Sequence, residues 1–597
     1  MMRVADYIAA FLAARGVQHV FLVTGGGAMH LNDAFGRCKA ITYVTCHHEQ
    51  ACAMAAESYF RMSGRVAAVN VTTGPGGTNA LTGVYGAFVD SIPMFVVSGQ
   101  VKYETMVAST PLALRQLGDQ EVDIVAMARP ITKMAALVTE PASIRAALER
   151  AWRVMLAGRP GPVWLDIPMN VQGALIDPDA LVGDEAPATT APRLEAACAA
   201  VIARIQDAKR PVLFAGNGVR IADRVAAFQA LAATLQIPAV TGWNAHDILT
   251  HEHPCYAGRP GTIGDRAGNF TVQNADLLVV FGSRLNIRQI SYAWQNFARG
   301  AALVMIDADP LELQKPTLKV ALGIEARLED FFDALSALTL PAPAPEHQAW
   351  LAWCRARVAR YPMANETRQV SHTHLNPYHF VDALWAALPD DARVVTGDGT
   401  ACVVTFQAAA LKANQRLYTN SGSAPMGYDL PAAVGAAIAT GATVFCLAGD
   451  GSIMMNLQEL QTIMTFNLPI KIFVLNNNGY HSIRQTQQAY FADNLVGFDP
   501  ATRVGLPSFE KIAAAFGLGY TRLDPSSLAE GALARFVNAE GPALCEVMLD
   551  PAQPFAPKLA SRRLDDGRMV SSPLEDMAPF LSREELRENM IIEPLGE

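Results

Sequence analysis

The chain has 597 residues, of which 51% are hydrophobic and 17% charged, with a formal net charge of −9. This length predicts three or four domains of about 150 residues each, and the composition excludes a disordered or fibrous protein. The negative charge gives no support to nucleic acid or a membrane surface as partner, and nine cysteines without CxxC spacing indicate buried thiols in a reducing cytoplasm.

The chain opens with an amphipathic helix and a strand, in the sequences MMRVADYIAAFLAARG and VQHVFLV. Asp6 and Arg15 lie inside the apolar pattern of the helix, so we expect no signal peptide. A second apolar stretch, residues 430–449, contains Pro431 and ends in a strand-like run, which favours buried core over a membrane span.

Two segments rich in Pro, Ala and Asp, residues 174–193 and 338–348, have the composition of linkers and divide the chain into three parts. Each part alternates apolar strands with helical patterns of about 10–15 residues, which is typical of a doubly wound α/β fold. The sequence therefore predicts three parallel-sheet domains. They cover residues 1–175, 190–340 and 365–550, and a charged, proline-rich tail of residues 551–597 is expected to lie over a surface.

Glu49 follows the strand ITYVTC and begins a helix rich in small residues, HEQACAMAAESYFRMSG. A carboxyl group in this position either complements the helix dipole or takes part in chemistry. His47 and His48 precede it and could be a catalytic pair, although histidines beside a buried acid often only hydrogen-bond it. Glu49 alone leaves these readings open.

A second polar pair ends two strands of the last domain. Asp450 follows TVFCLAG within a GDG triplet, and Asn477 follows IKIFVL within an asparagine pair. The segment between them has the length of a βαβ crossover, so both side chains should meet at the carboxyl edge of the sheet. Their oxygens suit Mg²⁺ or Ca²⁺, and a Mg²⁺ with so few protein ligands usually needs a diphosphate. The alternative is an ordinary βα turn with polar caps.

Together, Glu49 and the GDG to NN segment resemble the thiamine-diphosphate-dependent enzymes, and in particular the catalytic subunits of acetolactate synthases. The resemblance covers nearly the whole chain and is also carried by TTGPGGTNALTGVYGAFVDSIPMFVVSGQ, KRPVLFAGNG and SGSAPMGYDLPAAVGAA. It implies a carboligase that decarboxylates pyruvate or a similar 2-keto acid and transfers the two-carbon unit to a second carbonyl. It also implies a homodimer or homotetramer with active sites between chains.

The resemblance assigns roles to the matching residues. Thiamine diphosphate and Mg²⁺ are the implied cofactors, with the metal held by Asp450, Asn477 and the backbone carbonyl of Gly479. Glu49 is implied to contact the aminopyrimidine ring, and Met426 to wedge between the two rings of the cofactor, although a methionine is more often core filler. The residues implied to line the reaction pocket are Gly25, Gly26 and Gln120. The remaining implied cofactor contacts are Thr73, Pro75, Asn79, Gly449, Gly451, Ser452 and Tyr480.

The middle domain has glycine turns that could receive a dinucleotide. The resemblance implies FAD there, although the family's arginine–aspartate signature is altered, and another nucleotide or no ligand at all are the alternatives. The implied FAD residues are Gly216, Gly218, Thr241, Gly242, Gly282, Arg284 and Asp307.

The chain departs from the family after the asparagine pair. Acetolactate synthases have a tryptophan there that restricts the acceptor pocket, whereas this chain has Thr486 in NNNGYHSIRQTQ. The departure resembles carboligases that act on a bulky ketone, such as a nucleotide-linked keto sugar. The cations that could then contact phosphate are Arg484, Arg562, Arg563 and Arg568, with scattered surface arginines as the simpler reading. A flavin-dependent 2-keto acid oxidase and a non-catalytic nucleotide-binding protein are the other classes, and the second would not need Glu49.

Overall fold

The computed structural model describes residues 1–186, 193–363, 371–491, 494–563 and 568–595. Three parallel β-sheets with helices packed against them form three successive α/β domains, which confirms the predicted fold class. An antiparallel pair of short strands lies in the C-terminal tail.

The first domain is built on a parallel sheet. Its strands are β1 (Met2–Arg3), β2 (His19–Leu22), β3 (Thr42–Thr45), β4 (Ala68–Val71), β5 (Phe95–Gln100), β6 (Met134–Leu137), β7 (Val163–Pro168) and β8 (Leu175–Ile176). Its helices are α1 (Val4–Ala14), α2 (Met29–Arg37), α3 (Glu49–Ser63), α4 (Pro75–Val89), α5 (Ile124–Ala128), α6 (Ile144–Leu156) and α7 (Met169–Gly173). The six strands β2 to β7 pair in the order β3-β2-β4-β5-β7-β6, and β1 pairs with β8. The central strands β4 and β5 are buried along their whole length, as expected of a covered parallel sheet.

The middle domain has a smaller parallel sheet. Its strands are β9 (Pro211–Ala215), β10 (Ala239–Thr241), β11 (Leu277–Phe281), β12 (Ala302–Asp307) and β13 (Val320–Glu325), in the order β10-β9-β11-β12-β13. Its helices are α8 (Glu195–Asp207), α9 (Gly218–Ile221), α10 (Val225–Leu235), α11 (Arg266–Asn274), α12 (Ile287–Ile290) and α13 (Leu328–Ser336). The helix α14 (Pro345–Arg360) follows and packs against α11.

The third domain returns to a larger sheet. Its strands are β14 (Arg393–Thr396), β15 (Arg416–Tyr418), β16 (Val444–Gly449), β17 (Ile470–Asn476), β18 (Gly519–Leu523) and β19 (Ala543–Met548), in the order β15-β14-β16-β17-β19-β18. Its helices are α15 (Pro377–Ala387), α16 (Thr400–Ala408), α17 (Asp429–Thr440), α18 (Glu459–Thr465), α19 (His481–Tyr490), α20 (Phe509–Phe516), α21 (Pro525–Ala529) and α22 (Ala532–Asn538). The tail contains β20 (Ser561–Arg563), β21 (Met569–Ser571) and α23 (Arg583–Glu588).

The first and third sheets share one strand order. Numbered from the first strand of each sheet, both are 2-1-3-4-6-5, and the middle sheet is 2-1-3-4-5. In each sheet strands 1 and 3 are neighbours, and the chain leaves strand 1 towards one edge of the sheet and strand 3 towards the other. Such a switch point opens a crevice at the carboxyl edge of the sheet, which is where doubly wound proteins bind ligands. The fold therefore provides three candidate sites.

The helix α3 is buried on nearly all sides, because α4 and α17 both pack against it. Small residues permit this close approach. A Cβ placed on Gly83 would lie 2.6 Å from the Ala53 side chain, and one on Gly435 would overlap the Ala55 carbonyl oxygen. The first and third domains consequently share one hydrophobic core.

The tail packs back over the rest of the chain. Gln273 of the middle domain donates to the carboxylate of Glu575 at 2.6 Å, and Arg266 donates to the Met577 carbonyl at 3.1 Å. Gln407 of the third domain donates to the Pro557 carbonyl at 2.8 Å. The tail thus links the middle and third domains.

Two further sequence readings concern burial. The apolar stretch 430–449 is divided between α17 and β16, which both lie in the shared core. Over the described ranges, no helix combines the length and apolar character needed to cross a membrane. All nine cysteines are free thiols, and eight of them are buried.

Candidate active site

Glu49 begins α3 at the carboxyl edge of the first sheet and is only 8% exposed. Asn79 of α4 donates its Nδ2 to Glu49 Oε2 at 3.0 Å. His48 caps the helix, because its Nδ1 accepts the backbone N–H of Gln50 at 3.0 Å. His47 is exposed and donates its backbone N–H to Glu459 at 3.1 Å. The two histidines therefore cap and tether α3, and this geometry does not favour a catalytic pair.

The loops after β2 and β4 meet beside Glu49 at the switch point of the first sheet. A Cβ on Gly25 would lie 2.5 Å from the Thr72 side chain, and a Cβ on Gly76 would lie 3.7 Å from Glu49 Oε1. Pro75 occupies the first turn of α4, where its missing N–H needs no partner. The close approach of these loops leaves the Glu49 carboxyl at the bottom of a glycine-lined crevice.

Gln120 reaches the same crevice from a separate loop. Its backbone is left-handed, with a φ of 62°, which is an uncommon and strained conformation for a residue with a side chain. Gly74 has a φ of 60°, and a Cβ there would overlap the Gln120 carbonyl oxygen. The Gln120 side chain and Gly26 are both exposed, so the single chain leaves this side of the crevice open.

A buried polar network supports these loops from within the sheet. Thr73 donates to Gln100 Oε1, and Gln100 Nε2 donates to the Val122 carbonyl and to Asp166 Oδ2, both at 3.1 Å. Ser98 donates to the other oxygen of Asp166 at 2.5 Å. Burial raises the pKa of Asp166 to about 7. Gln100 therefore joins the loop of Thr73 to the loop that ends at Val122, and neither Gln100 nor Asp166 was expected from the sequence.

Asp450 follows β16 at the switch point of the third sheet. Its Oδ2 accepts the backbone N–H groups of Asn477 at 3.0 Å and Gly479 at 2.9 Å, and its Oδ1 accepts that of Gly451 at 2.7 Å. Burial raises the pKa of Asp450 to about 6, while these three N–H donors act in the opposite direction. The structure thus brings Asp450 together with Asn477 and holds the carboxylate in one orientation.

Asn477 is oriented by a residue that sequence reasoning missed. Its Nδ2 donates to Thr400 Oγ1 at 2.7 Å, so its amide oxygen is directed away from Thr400. Thr400 is the first residue of α16, which follows β14, the first strand of this sheet. Because β14 lies next to β16, Thr400 and Asp450 flank the same switch point. The sequence signal was the four-residue segment GDGT after the strand RVVT, which is similar to the segment GDGS that begins at the end of β16.

This donor set fits a hard divalent cation. It comprises the Asp450 carboxylate, the Asn477 amide oxygen and the Gly479 carbonyl. Across the described part of the chain, no group of three or more His, Cys, Asp or Glu side chains could hold a metal ion. A cation at Asp450 would therefore rely on ligand oxygens to complete its coordination, and a diphosphate offers them.

The loop that carries Met426 lies against the segment after Asp450. Gly427 donates its N–H to Ser452 Oγ at 2.9 Å, and its carbonyl accepts from Asn456 at 2.8 Å. Ser452 in turn donates to Asp429 at 2.6 Å. Met426 is half-buried beside these contacts, so it is not packed as core filler.

Tyr480 covers the GDG turn. A Cβ on Gly451 would overlap the Tyr480 ring, so a glycine is required there for the ring to pack on the backbone. At Gly449 a Cβ would lie 3.6 Å from Ser452, which is an ordinary contact. Of these two residues, Gly451 must be a glycine for this packing, whereas Gly449 has room for a side chain.

Asn456 connects the two halves of the candidate site. It donates to the carbonyl of Gly427 and, at 2.9 Å, to Gln50 Oε1, and Gln50 adjoins Glu49 in the first turn of α3. The backbone of His47 is tied to Glu459 in the same region. Within one chain, the start of α3 therefore touches the segment that follows Asp450.

Thr486 lies on the exposed face of α19. Its hydroxyl donates to the carbonyl of Ser482, one turn earlier in the same helix, at 3.0 Å. The buried face carries His481 and Arg484. Thr486 is therefore a short, exposed side chain on a helix whose opposite face is buried.

Arg484 supports the asparagine loop. It is buried and donates to the carbonyl of Asn478 at 2.9 Å, and its guanidinium lies 3.8 Å from Asp499. This arrangement does not favour the phosphate contact that the sequence allowed. The side chains of Arg562 and Arg563 lie outside the described part of the structure, and Arg568 is exposed in the tail.

A cavity of about 490 Å³ lies at the switch point of the middle sheet, between the middle and first domains. Here a Cβ on Gly216 would overlap the carbonyl oxygen of Gly282, which brings the loops after β9 and β11 into direct contact. Among the residues expected to bind FAD, those that line the cavity are Gly216, Gly218, Gly242, Gly282, Arg284 and Asp307. Thr241 lies buried in β10 and does not line it.

The cavity wall combines acidic, cationic and aromatic groups. Asp307 ends β12, and burial raises its pKa to about 6. Arg159 enters from the first domain, and Arg288 lies over the ring of Trp243 with 5.5 Å between its Cζ and the ring centroid. Glycine turns with a strand-end acid suit the ribose of a nucleotide, and guanidinium groups suit its phosphates. Arg159, which comes from another domain, was not expected from the sequence.

Comparison with known proteins covers most of the chain. Residues 2–127 match the family described as thiamine pyrophosphate enzyme, N-terminal TPP binding domain, residues 198–335 match its central domain, and residues 397–547 match its C-terminal TPP binding domain. The chain is 32% identical over 554 residues to the acetolactate synthase isozyme 1 large subunit of Escherichia coli strain K12, covering 93% of this chain and 95% of that protein. It is 32% identical to the isozyme 2 large subunit of the same organism, over 94% of this chain and 98% of that protein. The acetolactate synthase large subunit of Lactococcus lactis subsp. lactis is 29% identical, over 91% and 92% respectively.

Proposed function

The chain belongs to the thiamine-diphosphate-dependent enzymes of the acetolactate synthase type, and from this premise we propose that it decarboxylates pyruvate or a similar 2-keto acid and transfers the two-carbon unit to a second carbonyl compound. The resemblance read from its motifs is confirmed, and the chain is a carbon–carbon bond-forming enzyme that uses thiamine diphosphate. The observation that carries the proposal is a pair of acids at two switch points: buried Glu49, held by Asn79, and Asp450, held by backbone N–H groups beside Asn477.

The third domain would hold the diphosphate end of the cofactor. Asp450, Asn477 and the Gly479 carbonyl would bind Mg²⁺, because they supply hard oxygens and Asp450 is already fixed by backbone N–H groups. Gly451 and Ser452 would lie along the phosphates, and Tyr480 would cover the turn. Met426 would support the cofactor from the neighbouring loop.

The first domain would hold the aminopyrimidine end. Bound thiamine diphosphate supplies the electron sink that lets a 2-keto acid lose carbon dioxide and donate its remaining carbons. Glu49 would exchange a proton with the ring, as a buried carboxyl oriented by Asn79. Thr73 and Pro75 would border the ring, and Gly25, Gly26 and Gln120 would leave room for the substrate.

We propose that the working enzyme is a homodimer or homotetramer in which the first domain of one chain faces the third domain of another. Apolar side chains are exposed beside both halves of the site. They are Leu112, Leu114 and Leu117 before Gln120, and Ile483 and Phe491 at α19. A second copy would cover both patches at once and close the open side of the crevice.

We also propose a cytoplasmic location, because nine free thiols suit a reducing compartment.

The cavity of the middle domain is proposed to bind FAD. Its glycine turns at the switch point let a diphosphate approach the backbone, Asp307 stands where a ribose hydroxyl would donate, and Arg284 would face the phosphates. The chemistry of carboligation needs no electron transfer, so the dinucleotide would serve to fix the position of the domains.

The acceptor is proposed to be larger than a second pyruvate. The observation behind this is the exposed Thr486, whose short side chain is bonded to its own helix and would leave more space than a large ring at this position. A bulky ketone, such as a nucleotide-linked keto sugar, is the acceptor class that would use such space. A small 2-keto acid as acceptor is the alternative.

The roles of Glu49 and Asp450 should be separable. Asp450→Ala removes the metal ligand, so we expect Mg²⁺-dependent binding of thiamine diphosphate to be lost. Glu49→Gln keeps the side-chain shape and should retain binding, while carbon dioxide release from pyruvate falls by about 10²–10⁴-fold because a proton-transfer group is gone. Calorimetric titration with the cofactor and a carbon dioxide assay measure the two effects. Equal loss of cofactor affinity in both variants would contradict this division.

Mixing the same two variants tests whether the site lies between chains. If Glu49 and Asp450 serve the same site from different subunits, exchanged hybrids of Glu49→Gln and Asp450→Ala chains contain one site with both native residues. Some pyruvate turnover should then return after subunit exchange. Each variant incubated alone is the control. If exchange is proven by differently tagged chains and no activity returns, both residues act from one chain.

The ligand of the middle domain can be identified directly. Denaturing the purified protein should release FAD, seen by its absorption and by mass spectrometry. Asp307→Asn should weaken its retention about ten-fold, because a hydrogen bond to a charged acceptor is lost. Asp330→Asn is the matched control, since Asp330 belongs to the same domain, is exposed and does not line the cavity. Release of an adenine nucleotide without flavin, or equal effects of both variants, would contradict the assignment.

The role of Thr486 is tested by restoring a large ring. Thr486→Trp should reduce transfer to bulky acceptors by about 10–100-fold relative to pyruvate as acceptor, because the ring would fill the space that they need. Release of carbon dioxide from pyruvate should change much less. Gln488→Trp is the control, because Gln488 is equally exposed on α19 but about 200° around the helix. An unchanged product ratio in competition assays would remove Thr486 from the acceptor pocket.

A further inference from the structure

A buried ion cluster lies where the first domain meets the third. Arg61 of α3 donates to Glu57 Oε1 at 2.6 Å and to Asp90 Oδ2 at 2.7 Å. The side chains of Glu57, Arg61 and Asp90 are only 1%, 3% and 6% exposed. One guanidinium therefore bridges two carboxylates away from water.

The two carboxylates hold one loop of the third domain at both of its ends. This loop, residues 420–428, is called the wedge loop because it carries Met426, the residue implied to wedge between the two rings of the cofactor. At its start, Asn420 donates to Glu57 Oε1 at 3.1 Å and the backbone N–H of Ser421 donates to Asp90 Oδ2 at 3.0 Å. At its end, the Tyr428 hydroxyl donates to Glu57 Oε2 at 2.5 Å. Glu57 thus touches both ends of the loop.

The packing around the cluster leaves the loop little freedom. A Cβ on Gly86 would lie 2.6 Å from the Asn420 amide nitrogen, so α4 presses against the start of the loop. Tyr428 is 1% exposed, and its ring belongs to the core shared by the two domains. Gly427 is fixed from the other side by Ser452 and Asn456. Met426 stands between these fixed points.

Stability alone is a weak reason for such a cluster, since a buried ion pair often contributes no more than well-packed apolar residues would. Burial raises the pKa of Glu57, while Arg61 and the Tyr428 hydroxyl act in the opposite direction. The two carboxylates face one buried guanidinium, with Arg284 next nearest at 3.9 Å from Asp90 and partly exposed. What the cluster does provide is a fixed geometry for the donors that reach it, and three of these donors belong to the wedge loop.

We propose that Glu57 is a positioning residue of the enzyme, which acts through Tyr428 and Asn420 to hold Met426 against bound thiamine diphosphate. The inference rests on the proposed function, because it takes the Met426 loop as the support of the cofactor. Glu57 itself touches neither substrate nor cofactor. Its carboxylate ties both ends of the wedge loop to α3 of the same chain, so the loop keeps one position beside the diphosphate site.

A double-mutant cycle tests this proposal on the full-length protein. Tyr428→Phe removes one hydroxyl without changing any charge, and Met426→Ala removes the wedge. Each single variant should raise the Kd for thiamine diphosphate, measured by titration at saturating Mg²⁺, by about ten-fold. In the Tyr428→Phe background, Met426→Ala should raise the Kd further by less than about three-fold, because the methionine is already displaced. Additive effects would overturn the proposal.

Ser58→Ala is the matched control. Ser58 lies on α3, is fully buried and bonds across the same interface, to the Tyr418 hydroxyl and the Ala432 carbonyl, both at 2.6 Å, without touching the wedge loop. It should lower the thermal midpoint about as much as Tyr428→Phe and leave the Kd for the cofactor unchanged. If Ser58→Ala raises the Kd equally, the interface acts only as structure and the proposal fails. If Met426→Ala alone leaves the Kd unchanged, the proposed support of the cofactor by Met426 fails, and this inference fails with it.

Discussion

The whole arrangement depends on how closely α3 packs against α17. The Gly435 position cannot carry a side chain, because a Cβ there would overlap the carbonyl oxygen of Ala55. At this separation backbone meets backbone, and the side chains around the contact form one core that belongs to two domains. Within one chain, the position of the first domain relative to the third is therefore set by a helix pair with little room to shift. Small residues let the two helices approach closely, whereas larger residues in other parts of a core contribute buried area.

The three candidate sites follow from strand order. In each sheet the first and third strands are neighbours from which the chain leaves in opposite lateral directions, and a glycine follows one of them, as Gly25, Gly216 and Gly451 do. The outer sheets share their order completely, yet one presents an acid at a helix start and the other an acid among backbone N–H groups. The two sites therefore differ in the residues of their loops, while the strand order of the two sheets is the same.

Glu49, Asp450 and Asn477 could be found in the sequence because each follows a predicted apolar strand. A polar residue after such a run is recognisable without any knowledge of its partners. The strand order was not visible, since periodicity along a strand says nothing about its lateral neighbours. Gln100 and Asp166 were missed for a related reason: each is a polar residue within an otherwise apolar strand, and its partner comes from a distant part of the chain. Arg484 shows the opposite limit. Its type points to an anion, but its place on the buried face of α19 directs it to backbone carbonyls.

The contact between α3 and α17 also constrains the order in which the chain can fold. Ser58 and Ala432 are hydrogen-bonded but 374 residues apart in sequence, so this interface cannot form until the third domain has been synthesised. Each sheet, in contrast, is made from strands of one contiguous segment and can form as the segment emerges. During synthesis the first domain must therefore expose one face of α3, with its alanines and buried polar groups, to water. That face is exposed to aggregation until the third domain docks on it.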